Sequence, residues 1–320
     1  MYKICSLFAG VGGIDLGFLQ TNKCEISYAN EFDKYAVQTY ENNFNHKVDC
    51  RDIHDVKLEE IPEFDIMVGG FPCTSFSVAG YRKGFEDDRT GDLFFEMERI
   101  FKERKPRVIF LENVKNLVGH DKGKTFRTII ECLENAGYKN KIRYQVLNAC
   151  EYGNIPQNRE RIYIVAFRDK EDYDKFQMPL PIELNNNIKN VFNFETKVDD
   201  KYYYTDGKYK GEMYKLLTEE MDDDNTVYQW RRKYVRKNQS NLVPTLTANM
   251  GEGGHNVPLI KTDYGIRKLT PIECFYAQGY PKDYKLPKDM SDAKLYKQAG
   301  NSVVVPVINR IAENIVKALQ

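Results

Sequence analysis

A cysteine, a glutamate and two arginines, each beside a short apolar run, are the side chains of this sequence best placed to do chemistry together. In Gly69-Gly70-Phe71-Pro72-Cys73-Thr74-Ser75-Phe76-Ser77, Cys73 follows a buried-strand pattern and is fixed by Pro72, where α/β folds place active sites. By type alone a lone cysteine is most often an inert core residue, and only its thiolate is a strong nucleophile. The setting changes that balance. The apolar run 108–111 delivers Glu112-Asn113-Val114, an acid from a neighbouring strand end, and Gln157-Asn158-Arg159-Glu160-Arg161 sets Arg159 and Arg161 at alternating positions of one strand face. A surface salt-bridge strip is the plain alternative for the arginines.

A second constellation precedes these residues. Residues 4–16 read as strand, glycine turn and helix, with Gly10-Val11-Gly12-Gly13 in the turn. Such glycines let backbone approach a ligand, and the next helix offers free N–H groups, as in nucleotide sites. The spacing departs from the dinucleotide fingerprint G-x-G-x-x-G. Glu31 ends the second strand, where an acid can bind ribose hydroxyls, and Asp52 could hold an adenine amino group. Taken singly, each acid is more readily a solvated turn residue.

The elements that must position them alternate. Strands are expected at 2–8, 25–30, 65–70, 107–111, 141–147 and 161–167, with helices at 14–20, 34–42, 93–105 and 126–136. That order implies a mostly parallel sheet covered on both faces. From Pro179-Leu180-Pro181 to Lys268 the chain turns polar and weakly periodic, a smaller domain of short strands and loops; helical spacing returns at 272–278 and 303–319. Of 320 residues, 42% are apolar and Lys+Arg balances Asp+Glu at 47 each, so the chain is globular, without the overall basic charge of many nucleic-acid binders. The 7 cysteines show no zinc or disulfide spacing. With no signal-peptide pattern and no membrane-length apolar run, a reduced, cytoplasmic protein without a metal is expected.

In this order the residues resemble the DNA cytosine-5 methyltransferase family, in particular the compact bacterial enzymes of restriction–modification systems. The resemblance spans 4–167 and 267–318. It rests on Phe8-x-Gly10-x-Gly12-Gly13, Pro72-Cys73, Glu112-Asn113-Val114, Gln157-x-Arg159-x-Arg161 and Gly300-Asn301-Ser302-Val303. Arg267-Lys268-Leu269-Thr270-Pro271, with Glu273-Cys274 and Gly279-Tyr280-Pro281, adds a sixth. Two positions depart from the family: Thr74 where glutamine is usual and Ile272 where arginine is common. The first bears on loop packing or base contact, the second on support of the hinge.

The resemblance implies an S-adenosylmethionine-dependent, Rossmann-like domain at 1–182, completed by 299–320. A target-recognition domain at 183–270 and a hinge at 271–298 would complete the chain. Cys73 would add to ring carbon 6 of cytosine so that carbon 5 can take the methyl group. Glu112, protonated through a raised pKa, would serve ring nitrogen 3, Arg161 would hold the base carbonyl, and Arg159 would support a loop or a phosphate. S-adenosyl-L-methionine would be bordered by Phe8, Gly10, Val11, Gly13 and Pro72. Glu31 would take the ribose, Phe32 would stack near the adenine, Asp52 and Ile53 would hold its edge, and Leu93, Asn301, Ser302 and Val303 would complete the pocket.

The target base must leave the duplex. Residues 75–92 suit a closing lid, with Ser75, Ser77, Arg82, Lys83 and Arg89 toward DNA and Gly80, Gly84 and Gly91 as pivots. Thr245-Leu246, followed by Gly251, Gly253 and Gly254, resembles the recognition segment, and Arg231, Arg232, Lys233, Arg236 and Lys237 could contact phosphate or guanine. The implied partners are double-stranded DNA and a separately acting restriction endonuclease, with the methyltransferase a monomer. An RNA cytosine-5 methyltransferase on the same scaffold is the second reading; a nucleotide-dependent oxidoreductase would not need Cys73, Glu112 and Arg161 together.

Overall fold

The apolar runs of the first half assemble into one six-stranded sheet in the computed structural model of the chain, which describes residues 1–71, 93–208, 212–231, 233–238, 240–252 and 256–320. Two compact units form. Unit 1 comprises Met1–Leu147, Glu160–Leu180 and Val307–Gln320. Its strands are β1 (Tyr2–Leu7), β2 (Cys24–Asn30), β3 (Ile66–Gly69), β4 (Val108–Val114), β5 (Ile142–Asn148) and β7 (Glu160–Phe167), in the order β2-β1-β3-β4-β7-β5. β1 pairs in parallel with β2 and β3, and β3 with β4; β7 returns antiparallel along β4. β3 is buried at all four positions and β4 at all but its last, as expected of central strands covered on both faces. Helices α1 (Gly13–Leu19), α2 (Lys34–Glu41), α3 (Leu93–Arg104) and α4 (Lys124–Leu133) cover the sheet. The last helix (Val305–Ala318) is tied to unit 1 where Asn309 donates to the Gly17 carbonyl at 3.1 Å. The Leu319 carbonyl takes bonds from Tyr2 and Arg107 at 3.0 Å each.

Unit 2 comprises Asn148–Arg159 and Pro181–Pro306. It holds an antiparallel sheet of β8 (Tyr228–Trp230), β9 (Val235–Lys237), β11 (Leu259–Thr262) and β12 (Gly265–Lys268), ordered β12-β11-β8-β9. A two-residue parallel pairing joins β6 (Gln157–Asn158) to β10 (Val243–Pro244). Tyr204, Leu217, Met221, Tyr228, Leu259 and Ile266 form one hydrophobic cluster of this unit. The helix Met213–Glu220 was not expected from the sequence: Leu217 is its one buried side chain, too little for a readable apolar stripe. Helices α5 (Pro271–Tyr276) and α6 (Asp292–Asn301) complete the unit. Residues 271–306 therefore cluster with unit 2, and of the C-terminal segment only Val307–Gln320 clusters with unit 1. Among the described residues, no helix is long and apolar enough to cross a membrane.

Candidate active site

β1 ends in a left-handed backbone at Phe8 (φ 54), followed by Gly10 (φ 57) and Gly12 (φ 82). For Phe8 that conformation costs about 1–2 kcal/mol, the kind of strain that gathers at ligand clamps. A Cβ on Gly10 would meet nothing within 4 Å, so its backbone faces open space. Glu31, just past β2, braces this turn: Oε2 accepts the Gly10 amide and Oε1 the Asp33 amide, both at 2.8 Å. Burial raises the Glu31 pKa, and the two amides pull against that rise. Two accepted bonds leave a carboxylate with capacity for ribose hydroxyls. Buried Asn30 donates to the carbonyls of Asp49 (3.0 Å) and Arg51 (2.9 Å), which brings Asp52 and Ile53 beside Glu31 and Phe32. Phe32 is 70% exposed, an unusual place for a phenyl ring and a fitting one for a stacking platform. Asp52 caps a short helical turn by accepting from the His54 amide at 3.1 Å. Ile53 belongs to the buried core cluster against which Phe8 and Leu93 pack; Val11 and Gly13 are buried too. Open glycine backbone, a braced acid and an exposed ring fit a nucleoside-bearing cofactor.

Asp15, in the first turn of α1, was not singled out from the sequence, although an acid inside the apolar run Gly13-Ile14-Asp15-Leu16-Gly17-Phe18 was the available signal. It is wholly buried and accepts from the Tyr40 hydroxyl at 2.6 Å. Burial lifts its pKa from 3.8 to about 6, against hydrogen bonds from Ser6 and Tyr40 that lower it. Between those values the folded chain keeps a proton that the unfolded chain has released. Its contribution to stability is therefore full below the unfolded pKa and lost as pH rises through about 6. An Asp15→Asn chain should gain on wild type by up to about 3 kcal/mol between roughly pH 4 and pH 7. Urea unfolding at both ends of that range measures the difference.

Glu112 and Arg161 meet through strand register. In the antiparallel β4–β7 pair, Glu112 lies opposite Tyr163, and Arg161 shares the Tyr163 face two residues away. Arg161 Nε stands 3.2 Å from Glu112 Oε1, with both side chains nearly buried. Asn113 donates to the Phe71 carbonyl at 2.7 Å, and a Cβ on Gly70 would come within 3.3 Å of Glu112 Oε2. The chain therefore enters residue 72 from an anchor beside Glu112. Pro72, Cys73, Thr74, Ser75, Ser77, Gly80, Arg82, Lys83, Gly84, Arg89 and Gly91 lie outside the described residues, as do Arg232, Gly253 and Gly254.

Arg159 corrects the expectation of one shared strand face. It lies between β6 and β7, outside the ladder, and is 2% exposed within unit 2, whereas Arg161 belongs to unit 1. Arg159 Nη1 donates to the Leu246 carbonyl at 2.6 Å, and Nη2 to the carbonyls of Gly300 (3.2 Å) and Ser302. Asn301 is exposed, and Ser302 and Val303 are buried, all three in unit 2. Arg231 and Lys233 stand exposed at the β8–β9 connection and Arg236 on β9; Lys237 is already paired with Asp222 at 2.9 Å and Asp223 at 3.3 Å. Thr245 is exposed and donates to the Asn158 carbonyl at 2.6 Å. Ile272 lines a cavity of about 470 Å³ in unit 2 with Phe192, Tyr202, Tyr276 and Leu295.

A mostly parallel sheet, a glycine turn braced by the acid of the second strand, and a carboxylate–guanidinium pair at a further strand end define a Rossmann-like methyltransferase. The chain belongs to the C-5 cytosine-specific DNA methylase family, whose model matches residues 2–317. The Type II methyltransferase M.Bsp6I of Bacillus sp. (strain RFL6) is 62% identical over 319 residues, covering 100% of both chains. M.HhaI of Haemophilus parahaemolyticus is 39% identical over 99% of this chain and 95% of its own. A solved DNMT2 mutant of Spodoptera frugiperda shares the fold, with TM-score 0.76 and 20% identity over 99% of this chain and 100% of its own. The chain is thus a DNA cytosine-5 methyltransferase.

Proposed function

We propose that this enzyme methylates carbon 5 of a flipped-out cytosine in one short duplex sequence, with Cys73 as nucleophile, and protects host DNA beside a cognate restriction endonuclease. The observation that carries the site assignment is the Glu112–Arg161 pair at 3.2 Å, next to the Gly70–Phe71 anchor from which the chain runs to Cys73.

Cytosine carbon 5 is a poor nucleophile. When the Cys73 thiolate bonds to carbon 6, the ring's electrons move toward nitrogen 3 and carbon 5 becomes enamine-like. Glu112 meets the charge at nitrogen 3 with a hydrogen bond or a proton, and Arg161 meets it at the base carbonyl. S-adenosylmethionine, when bound, supplies an electrophilic methyl group on a sulfonium centre. Phe8, Gly10, Val11, Gly13, Glu31, Phe32, Asp52, Ile53, Leu93 and the 301–303 segment would hold it. Loss of the carbon-5 proton to a base, for which water serves, then returns electrons to the ring, breaks the sulfur–carbon 6 bond and frees the thiolate. Residues 75–92 close over the base, while Thr245 and the 231–237 basic run read or grip the duplex; Leu246, expected there too, is 1% exposed and packs in the core instead.

Expression in a host without cytosine methylation, followed by mapping of 5-methylcytosine, tests activity and sequence context together. Methyl label from the cofactor appearing in transfer RNA and not in duplex DNA would overturn the reading.

A further inference from the structure

Two segments of unit 2 that the proposed function gives different ligands share one buried support. Thr245, beside Leu246, stands for target reading and 301–303 for the cofactor, and the inference rests on that reading. The Arg159 guanidinium spans them, bonding the Leu246 carbonyl on one side and the Gly300 and Ser302 carbonyls on the other. Its neighbours repeat the pattern. Gln157 Nε2 donates to the Ala277 carbonyl at 2.6 Å, while its Oε1 faces the Leu246 amide at 3.4 Å. β6 pairs directly with Val243 and Pro244. On the far side, Gln278 donates to the Ala299 carbonyl, and the Tyr280 and Ser302 hydroxyls stand 2.5 Å apart. The two segments also touch backbone to backbone: a Cβ on Gly300 would fall 2.1 Å from the Thr247 carbonyl carbon and 2.3 Å from the Ala248 nitrogen.

We infer that Arg159 is a positioning residue, which holds the target-reading segment 243–251 against the 300–303 cofactor motif so that sequence discrimination and cofactor affinity depend on the same guanidinium. Buried carbonyls need donors, and a planar fork serves several at once where a lysine ammonium cannot keep the same geometry. At 2% exposure Arg159 is already committed to backbone, which distinguishes it from a phosphate contact.

Full-length wild type, Arg159→Lys and Gly300→Ala chains provide the test. Gly300→Ala forces the same segments apart without altering any charge, and keeps the inference open to refutation if Arg159→Lys does not fold. Thermal unfolding identifies the folded variants. For each, KM for S-adenosylmethionine, KM for duplex, kcat, and the rate ratio between the mapped target and one-base-changed duplexes are measured, with duplex affinity followed across salt. In Arg159→Lys both KM values are expected to rise together, each about tenfold, and the discrimination ratio to fall about tenfold, as the loss of charge-assisted bonds predicts. Gly300→Ala should move the same three quantities in the same directions. Unchanged discrimination and cofactor KM in a folded variant overturn the inference. So does a fall in kcat alone, which would put Arg159 at the reacting base. A salt slope reduced by about one in an Arg159→Gln chain, which removes the charge that lysine would keep, would instead mark a phosphate contact. Wild type that methylates no duplex would sink the functional reading itself, before any variant is compared.

Discussion

A Glu112→Gln chain is expected to bind duplex and S-adenosylhomocysteine much as wild type does, while its methyl-transfer rate falls about 10²–10⁴-fold, the range for loss of a positioned general acid. Glutamine keeps the side-chain volume beside Gly70 and can still donate a hydrogen bond, but it has no proton to transfer. The pocket around Glu112 is tight: it is 8% exposed, and Arg161 Nε lies at 3.2 Å. An isosteric change should therefore leave packing intact and isolate the chemistry. Single-turnover methylation reads the rate. A duplex carrying 5-fluorocytosine at the target reads the covalent step, because fluorine cannot leave carbon 5 as the proton does and the adduct persists. Wild type should accumulate the adduct, Glu112→Gln should do so far more slowly, and Cys73→Ala should form none. Adduct formation by Cys73→Ala would end the nucleophile assignment, and an undiminished rate in Glu112→Gln would remove the acid.

Much of this geometry was legible in the chain because it rests on short-range rules. Continuous apolar runs alternating with helical spacing place β1 to β3 and helices α1 to α3 to within a residue, with Glu31 just past β2, whereas β4 runs three residues beyond the expected 111 and carries Glu112 within the strand. Long-range packing was less legible. Alternation in Gln157-Asn158-Arg159-Glu160-Arg161 suggested one strand face, but the ladder breaks at Arg159, whose amide is taken by the Asn148 side chain at 3.0 Å. One arginine then turns to Glu112 and the other to carbonyls 87 to 143 residues away. Asp15 was hidden for the opposite reason: its burial depends on Tyr40 from α2, which no local pattern reports. In the polar middle, strands of three and four residues hold together through Tyr204, Leu217 and Tyr228, spacings too wide for any periodic window.

The largest expected effect on stability comes from a buried ion pair in unit 2 between Arg267 and Glu273. Arg267 is 0% exposed and its side chain meets Glu273, 4% exposed, through Nη1 and Nη2 at 2.8 Å each. Glu273 also accepts from the Thr270 amide (2.8 Å), the Thr270 hydroxyl (2.9 Å) and the Asn193 amide (2.8 Å). Burial alone would raise the Glu273 pKa; the Arg267 bonds and charge, with the two amides, outweigh it and hold the carboxyl below its usual 4.5. One acid thus caps α5, ties Asn193 to it and neutralises a guanidinium that has no route to water. Glu273→Gln leaves that charge buried without its counter-ion and is expected to cost about 3–5 kcal/mol, a large share of the roughly 5–15 kcal/mol that a folded domain has. Arg267→Met should cost a similar amount near neutral pH. Its deficit against wild type should narrow as pH falls, first where the variant's stranded carboxyl, its pKa raised by burial, takes up a proton, and further below about 4.5, where wild type loses the benefit of a depressed carboxyl pKa. The double variant Arg267→Met/Glu273→Gln removes both charges while glutamine can still accept from Thr270, so it should be more stable than Glu273→Gln alone. Urea unfolding of the four chains followed by circular dichroism decides the matter. Additive losses in the double variant would mean that the two side chains act independently, and that the pairing of their charges is not what secures α5 in unit 2.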